Sequence, residues 1–231
     1  MTYIFSIEGN IGSGKSTLVK ELQKRVLSIV DKPVVYVQEP VDEWDNIKDR
    51  QGETILKKFY ANQHKYAFSF QMMAYISRLA LLRRVIRENP NAIIITERSV
   101  FTDKEVFAKM LYDEGKIEEV DMQVYLRWFD EFIEDIPITG LIYVNTSPEK
   151  SKERVDIRAR TGETIPLSYL QRCHKYHISW IKNFGKQVYI FDGNVNFKDS
   201  LTHEEVDLVT SFIIRHTAPE NDPHMYTMCT S

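Results

Sequence analysis

The octapeptide Gly9-Asn10-Ile11-Gly12-Ser13-Gly14-Lys15-Ser16 constrains this chain more than any other segment. It has the form G-x-x-x-x-G-K-[ST] and lies between an apolar run, Tyr3–Ile7, and a helix-patterned stretch from Lys15 to about Ile29. Small residues let successive backbone N–H groups turn inward, and the start of the following helix adds the positive end of its dipole. Such a loop cradles phosphate oxygens. Lys15 adds a point charge at the outer phosphates, the Ser16 hydroxyl is placed to coordinate Mg2+, and Thr17 continues the helix start. Residues 9–17 therefore predict binding of a nucleoside triphosphate, and they are silent about what receives its phosphate.

Four further apolar runs follow: Val34–Gln38, Ala92–Thr96, Gly140–Asn145 and Val188–Phe191. All five are nearly continuous in Ile, Val, Tyr and Phe rather than alternating, which suits strands covered on both faces of a parallel sheet. Helix-like stretches separate them, so the pattern predicts an α/β fold with helices on both sides. Ligands of such sheets lie beyond the carboxyl ends of the strands. That rule singles out Glu8 and Gly9, Glu39, Glu97 and Arg98, Thr146, and Asp192. No repeat or linker divides residues 1–216, and a chain of 231 residues suffices for one domain with a sizeable core. The stretch from Thr217 to Ser231, with two prolines and mixed polar residues, reads as a flexible tail.

A net charge of −3 gives no support for non-specific nucleic-acid binding, so an anionic substrate must be held by local positive groups. No apolar run reaches membrane-spanning length. Cys173 and Cys229 make neither a disulfide framework nor a metal site, and Cys173 is expected to be a buried small residue. With a strand expected to begin at Tyr3, no signal or transit peptide is expected ahead of the fold, and the cytoplasm is the expected location.

Residue types near the strand ends suggest the acceptor. Glu39, in Val37-Gln38-Glu39-Pro40, can take a proton from an attacking hydroxyl as general base, although a strand-end Glu taken alone is more often a solvated loop residue. Trp44 can wall a pocket for a flat ligand or simply fill core. Phe68, Gln71, Ala74, Tyr75 and Arg78 share one helical face. A buried amide on such a stripe offers a donor and an acceptor in one plane, which suits a nucleobase edge. The competing reading leaves Gln71 and Arg78 at the margins of a partly buried face. Thr96-Glu97-Arg98-Ser99 is followed by Asp103 and Phe107. Glu97 can hold magnesium through water, and Arg98 can stabilise charge on a transferring phosphoryl group; a surface ion pair is the alternative. Arg154 and Arg158 are one turn apart, with Arg160 just beyond. Three guanidinium groups near a phosphate loop suit a lid that clamps the transition state, against the blander reading of a solvated helix face.

Together these segments resemble the deoxynucleoside kinases related to deoxycytidine and deoxyguanosine kinase. The resemblance runs from Ile4 to about Ile214 and rests on Glu8–Thr17, Gln38-Glu39-Pro40 with Trp44, Phe70-Gln71 with Arg78, Glu97-Arg98-Ser99 with Asp103, the Arg154-x-x-x-Arg158-x-Arg160 run, and Ile165-Pro166-Leu167-x-Tyr169-Leu170. It implies a P-loop NTPase fold with a five-stranded parallel sheet in the order 2-3-1-4-5, an arginine-rich lid, and a homodimer built by helix packing. It also implies transfer of the γ-phosphoryl group of ATP, or a related triphosphate, to the 5′-hydroxyl of a deoxynucleoside in nucleotide salvage.

By position, Glu39 resembles the general base and Arg98 the group beside the 5′-oxygen. Gln71 resembles the reader of the base edge. Tyr60, eleven residues before Gln71, and Glu163 resemble the groups that hold the sugar 3′-hydroxyl. Trp44 and Phe107 would line the base pocket, and Arg154, Arg158 and Arg160 resemble the lid. The pair Arg78 and Asp103 resembles members that use deoxycytidine and purine deoxynucleosides rather than thymidine. Val195 and Asn196 stand where the family often carries acidic residues at the donor base, which leaves the choice of donor open. A thymidylate-type monophosphate kinase shares the loop and the lid, but Glu39 would repel its acceptor's phosphate. A non-catalytic subunit of the same fold usually loses Lys15, the base or the lid arginines, and all are present here.

Overall fold

A computed structural model describes residues 1–24, 32–159, 164–195 and 203–217. Its strands are β1 (Tyr3–Gly9), β2 (Val34–Val37), β3 (Ile93–Glu97), β4 (Ile138–Asn145) and β5 (Gln187–Asp192). They form one sheet in the order β2-β3-β1-β4-β5, and every pairing is parallel. The order implied by the family resemblance is the one observed. The helices are α1 (Lys15–Lys24), α2 (Val41–Trp44), α3 (Ile55–Ala61), α4 (Gln63–Glu88), α5 (Val100–Thr102), α6 (Lys109–Asp113), α7 (Glu119–Phe132), α8 (Pro148–Arg158), α9 (Leu167–Lys182) and α10 (His203–Arg215). A π-helical turn over Asp103–Ala108 joins α5 to α6. The expected continuation of α1 to Ile29 lies outside the described residues, as do Arg160, Glu163, Asn196 and nearly all of the expected tail.

The continuous apolar runs are explained by cover on both faces. Phe5 and Ile7 of β1, with Ile93, Ile95, Ile142 and Val144, pack under Leu18, Val19 and Leu22 of α1 and Val206, Val209 and Ile213 of α10. Successive side chains of a strand point to opposite faces, so Ile4, Ile94 and Leu141 meet the other layer. That layer is built from α4, α7 and α9 through Leu79, Leu82, Tyr125, Phe129 and Trp180. Cys173 lies fully buried in a smaller cluster with Met110, Val155 and Tyr169, as expected.

β1 sits between β3 and β4, where the order of connections reverses. Crossovers leave this point in opposite directions and open a crevice beyond the strand ends. Helix starts around it are capped by side chains. Thr54 Oγ1 accepts from Lys57 N at the start of α3, Asn62 Oδ1 from Lys65 N at α4, and Ser147 Oγ from Lys150 N at α8, each at 3.2 Å.

Candidate active site

The loop between β1 and α1 turns tightly because it can. Gly12 has φ +77°, and a Cβ there would overlap the carbonyl oxygen of Ser151, so α8 packs directly on bare backbone. Asn10 is buried and structural: its Nδ2 donates to Leu170 O at 2.8 Å, and its Oδ1 accepts from Ile11 N at 2.9 Å. The Lys15 ammonium donates to the loop's own carbonyls, Asn10 O at 2.7 Å and Gly9 O at 3.2 Å. Burial, reinforced by nearby Arg98, lowers its pKa to about 7. At the first turn of α1, Ser16 Oγ donates to Glu97 Oε1 at 2.7 Å, so the hydroxyl and carboxylate flagged for magnesium are adjacent.

Opposite the loop lies an ion network. Arg78 of α4, 2% exposed, donates from Nε to Asp103 Oδ2 at 2.8 Å and from Nη2 to Glu39 Oε1 at 2.8 Å. Its Nη1 also donates to Glu97 O at 3.2 Å, which ties α4 to the end of β3. Arg98 completes the group, with Nε 3.4 Å from Glu39 Oε1 and Nη1 donating to Gly9 O at 2.9 Å. Burial works against the Glu39 carboxylate, but Arg78, Arg98 and Lys15 outweigh it and hold its pKa at about 2. Burial pushes the Asp103 carboxyl up against the pull of Arg78. Burial opposes the charge of Arg78 too, yet Asp103 and Glu39 raise its pKa, so the guanidinium stays charged. A surface ion pair, the alternative reading for this segment, is thereby replaced by a buried one.

Arg98 is held in the left-handed region at φ +64°, which costs a non-glycine residue about 1 kcal/mol. Hydrogen bonds over-determine that turn. Arg98 N donates to Ile7 O at 3.0 Å, and Thr96 Oγ1 to Arg98 O at 2.9 Å. Below them the fully buried Glu8 accepts from Ser6 Oγ at 2.6 Å, from Ser99 Oγ at 2.7 Å and from Thr102 Oγ1. The guanidinium of Arg98 then lies 5.0 Å from the Phe107 ring centre.

Between loop and network is a cavity of about 110 Å3. Lys15, Ser16, Glu39, Trp44, Tyr60, Gln71, Glu97, Arg98, Asp103, Phe107 and Arg158 all line it, although they come from eight segments of the chain. Its aromatic walls are ordered. Phe59 stacks on Phe70 with centroids 4.6 Å apart, Trp44 meets Phe70 edge-on at 5.7 Å, and Trp44 Nε1 donates to Ser77 Oγ at 2.9 Å. Gln71 is 2% exposed, and among the described residues none donates to its Oε1. A buried amide oxygen left this way in a cavity wall is suited to a ligand's N–H.

Arg154 behaves otherwise: it is not among the lining residues, and its guanidinium donates to backbone carbonyls of the loop and of the turn after β5. Phe59 and Leu56 line the cavity without having been indicated by any motif, and only their apolar spacing hinted at burial; Phe70 and Tyr169 stand in segments that carry the family resemblance. The position of Glu8 beneath Arg98 was signalled by its place at a strand end and in the Glu8–Thr17 segment of the resemblance, but its role was not.

Residues 5–214 match the deoxynucleoside kinase family. This chain belongs to that family. It is accordingly a kinase of deoxynucleosides, a phosphotransferase that uses a nucleoside triphosphate donor and an alcohol acceptor. It is similar to a probable deoxycytidine kinase of Fowlpox virus (strain NVSL), at 37% identity over 180 residues covering 76% of this chain and 70% of the relative. It is also similar to the deoxycytidine kinase of Rattus norvegicus, at 33% over 225 residues covering 84% and 85%. A mitochondrial deoxyguanosine kinase of Xenopus laevis is 31% identical over 195 residues, covering 76% and 72%. Among the described residues of this kinase no helix is long and apolar enough to cross a membrane.

Proposed function

We propose that this kinase transfers the γ-phosphoryl group of ATP, or of another nucleoside triphosphate, to the 5′-hydroxyl of deoxycytidine or a purine deoxynucleoside. The carrying observation is Arg78, buried between Glu39 and Asp103, with the unpaired Gln71 oxygen on the same helical face. Acceptor oxygens at Gln71 and Asp103 suit bases that carry an exocyclic amino group, as cytosine, adenine and guanine do. Thymine carries none, and it adds a methyl group where Arg78 and Asp103 already fill the space.

In this reading Glu39 receives the 5′-hydroxyl proton, Arg98 stabilises charge on the transferring group, and Lys15 with residues 9–17 holds the donor phosphates. Tyr60 and Glu163 are assigned to the sugar, Trp44 and Phe107 to the base, and Arg158 and Arg160 to the lid. Ser16 Oγ and Glu97 Oε1, 2.7 Å apart, are the hard oxygen donors that Mg2+ prefers, so the residues present fit the ion. When bound, Mg2+ neutralises charge on the donor's phosphate oxygens.

The reading extends to a homodimer. Val120, Val124 and Trp128 recur every four residues along α7 and are exposed, and Ile76 of α4, next to Tyr75 whose hydroxyl donates to Trp128 O, is exposed as well. A second copy of this chain is the assigned occupant of that stripe. A competition assay with the four deoxynucleosides and labelled ATP tests the substrate assignment. Deoxycytidine or a purine deoxynucleoside is expected to be phosphorylated most efficiently, and a preference for thymidine would overturn the assignment.

A further inference from the structure

Arg154 has the sequence position of a phosphate clamp, yet its guanidinium grips backbone. Nη1 donates to Ser13 O at 2.9 Å and to Gly193 O at 2.8 Å, and Nη2 donates to Val195 O at 2.7 Å. Thr146, at the end of β4 and 1% exposed, sends Oγ1 to the same Ser13 oxygen at 2.9 Å. One carbonyl in the glycine loop thus receives two donors from two different elements, one of them charged.

The consequence follows from peptide geometry. In a trans peptide the C=O and the next N–H point in opposite directions. Fixing the Ser13 oxygen against Thr146 and Arg154 therefore turns the Gly14 N–H away from α8. Gly14 has φ +105° and no side chain to restrict it, so this peptide plane needs a hold from outside. A cationic donor on the oxygen also polarises the peptide and strengthens the N–H on its far side. Gly193 belongs to the same construction: a Cβ there would overlap Thr146 Oγ1 and approach Ser13 O at 3.2 Å.

We propose that Arg154 and Thr146 are positioning residues for the donor phosphates, acting together through the Ser13–Gly14 peptide. Through Gly193 and Val195, Arg154 also couples that peptide to the turn after β5. The inference rests on the reading that the glycine loop holds the donor.

The test compares Thr146→Val, Thr146→Ser, Arg154→Gln and the double variant Thr146→Val/Arg154→Gln. ATP and ADP binding are measured by calorimetry, kcat and KM at saturating deoxynucleoside, and folding by thermal melts. Thr146→Val and Arg154→Gln are each expected to weaken ATP and ADP alike by roughly tenfold, raising KM more than they lower kcat. Thr146→Ser restores the hydroxyl and is expected to bind like wild type. Because both groups act on one oxygen, the two effects should not multiply in the double variant. The proposal is overturned if Arg154→Gln lowers kcat with ATP binding unchanged, as a direct clamp on the transferring group would. It is overturned equally if Thr146→Val binds ATP normally, or if the single effects multiply. Should Arg154→Gln fail to fold, Arg154→Lys carries the same comparison, since it keeps the charge and loses the two-pronged reach. Lys15→Met separates the two readings. If it binds ATP as wild type does, the donor-site reading itself fails; if it loses ATP while the Thr146 and Arg154 variants bind normally, only the positioning role fails.

Discussion

Two guanidinium groups and an ammonium group keep Glu39 charged against the upward push of burial on its pKa. A carboxylate held at about 2 is a weak base in the ground state. In the proposed reaction it takes the proton late, once the bond to phosphorus makes the hydroxyl acidic, which loose phosphoryl transfer tolerates. Glu39→Gln keeps the shape and removes the base. Its kcat is expected to fall by about 100- to 10,000-fold while ATP affinity is retained, measured by single-turnover kinetics and calorimetry. Equal rates in variant and wild type would remove Glu39 from this role. Because its pKa lies so low, Glu39 contributes no acid limb near neutral pH. Lys15 contributes an alkaline one. Its ammonium is lost from the free enzyme as pH rises through about 7, so kcat/KM for ATP should decline above that pH. Bound phosphates favour the charged form, so kcat at saturating ATP should stay level further into the alkaline range. A pH profile in which both parameters fall together would contradict this.

Elements place these groups by means that periodicity does not show. Asp103 and Phe107, four residues apart and so on one face, both line the cavity from a π-helical turn over Asp103–Ala108. Nothing in Asp103-Lys104-Glu105-Val106-Phe107-Ala108 distinguishes that turn from ordinary helix, and such turns are frequent at functional sites. By contrast, α8 starts where its residues say it should. Ser147 caps it by accepting from Lys150 N, and Pro148 occupies the first helical position. Ser147→Ala should cost about 1 kcal/mol in urea denaturation. A loss near zero would show that α8 is held by its packing on Gly12 rather than by its cap.

Across the whole molecule the sheet does the gathering. Parallel strands with crossovers on both faces bring Gly9, Glu39, Glu97 and Arg98 to one edge, where α4 supplies Gln71 and Arg78 from the side. The outward faces of α4 and α7 carry the apolar stripe assigned to a second copy. Val124→Glu should convert a dimer to a monomer in sedimentation analysis with the melting temperature of the monomer fold nearly kept, and a dimer that survives the change would move the interface elsewhere. The α/β class, the phosphate loop and most cavity-lining residues were legible from the chain alone, while the strand order was implied by the family resemblance. Apolar runs report two-sided burial, and the loop's chemistry is local, since it resides in backbone N–H groups and adjacent side chains. The surroundings of Arg78 and Arg154 were not legible in this way. Whether Arg78 sits at a margin or is buried between Glu39 and Asp103, and whether Arg154 faces phosphate or carbonyl, depends on groups more than twenty residues away in sequence. The glycine loop thus announced a phosphate site by itself, while only tertiary packing decided that Arg78 holds Glu39 and that Arg154 grips the loop's backbone. A long guanidinium side chain goes to whichever acceptors the fold brings within about 3 Å of it.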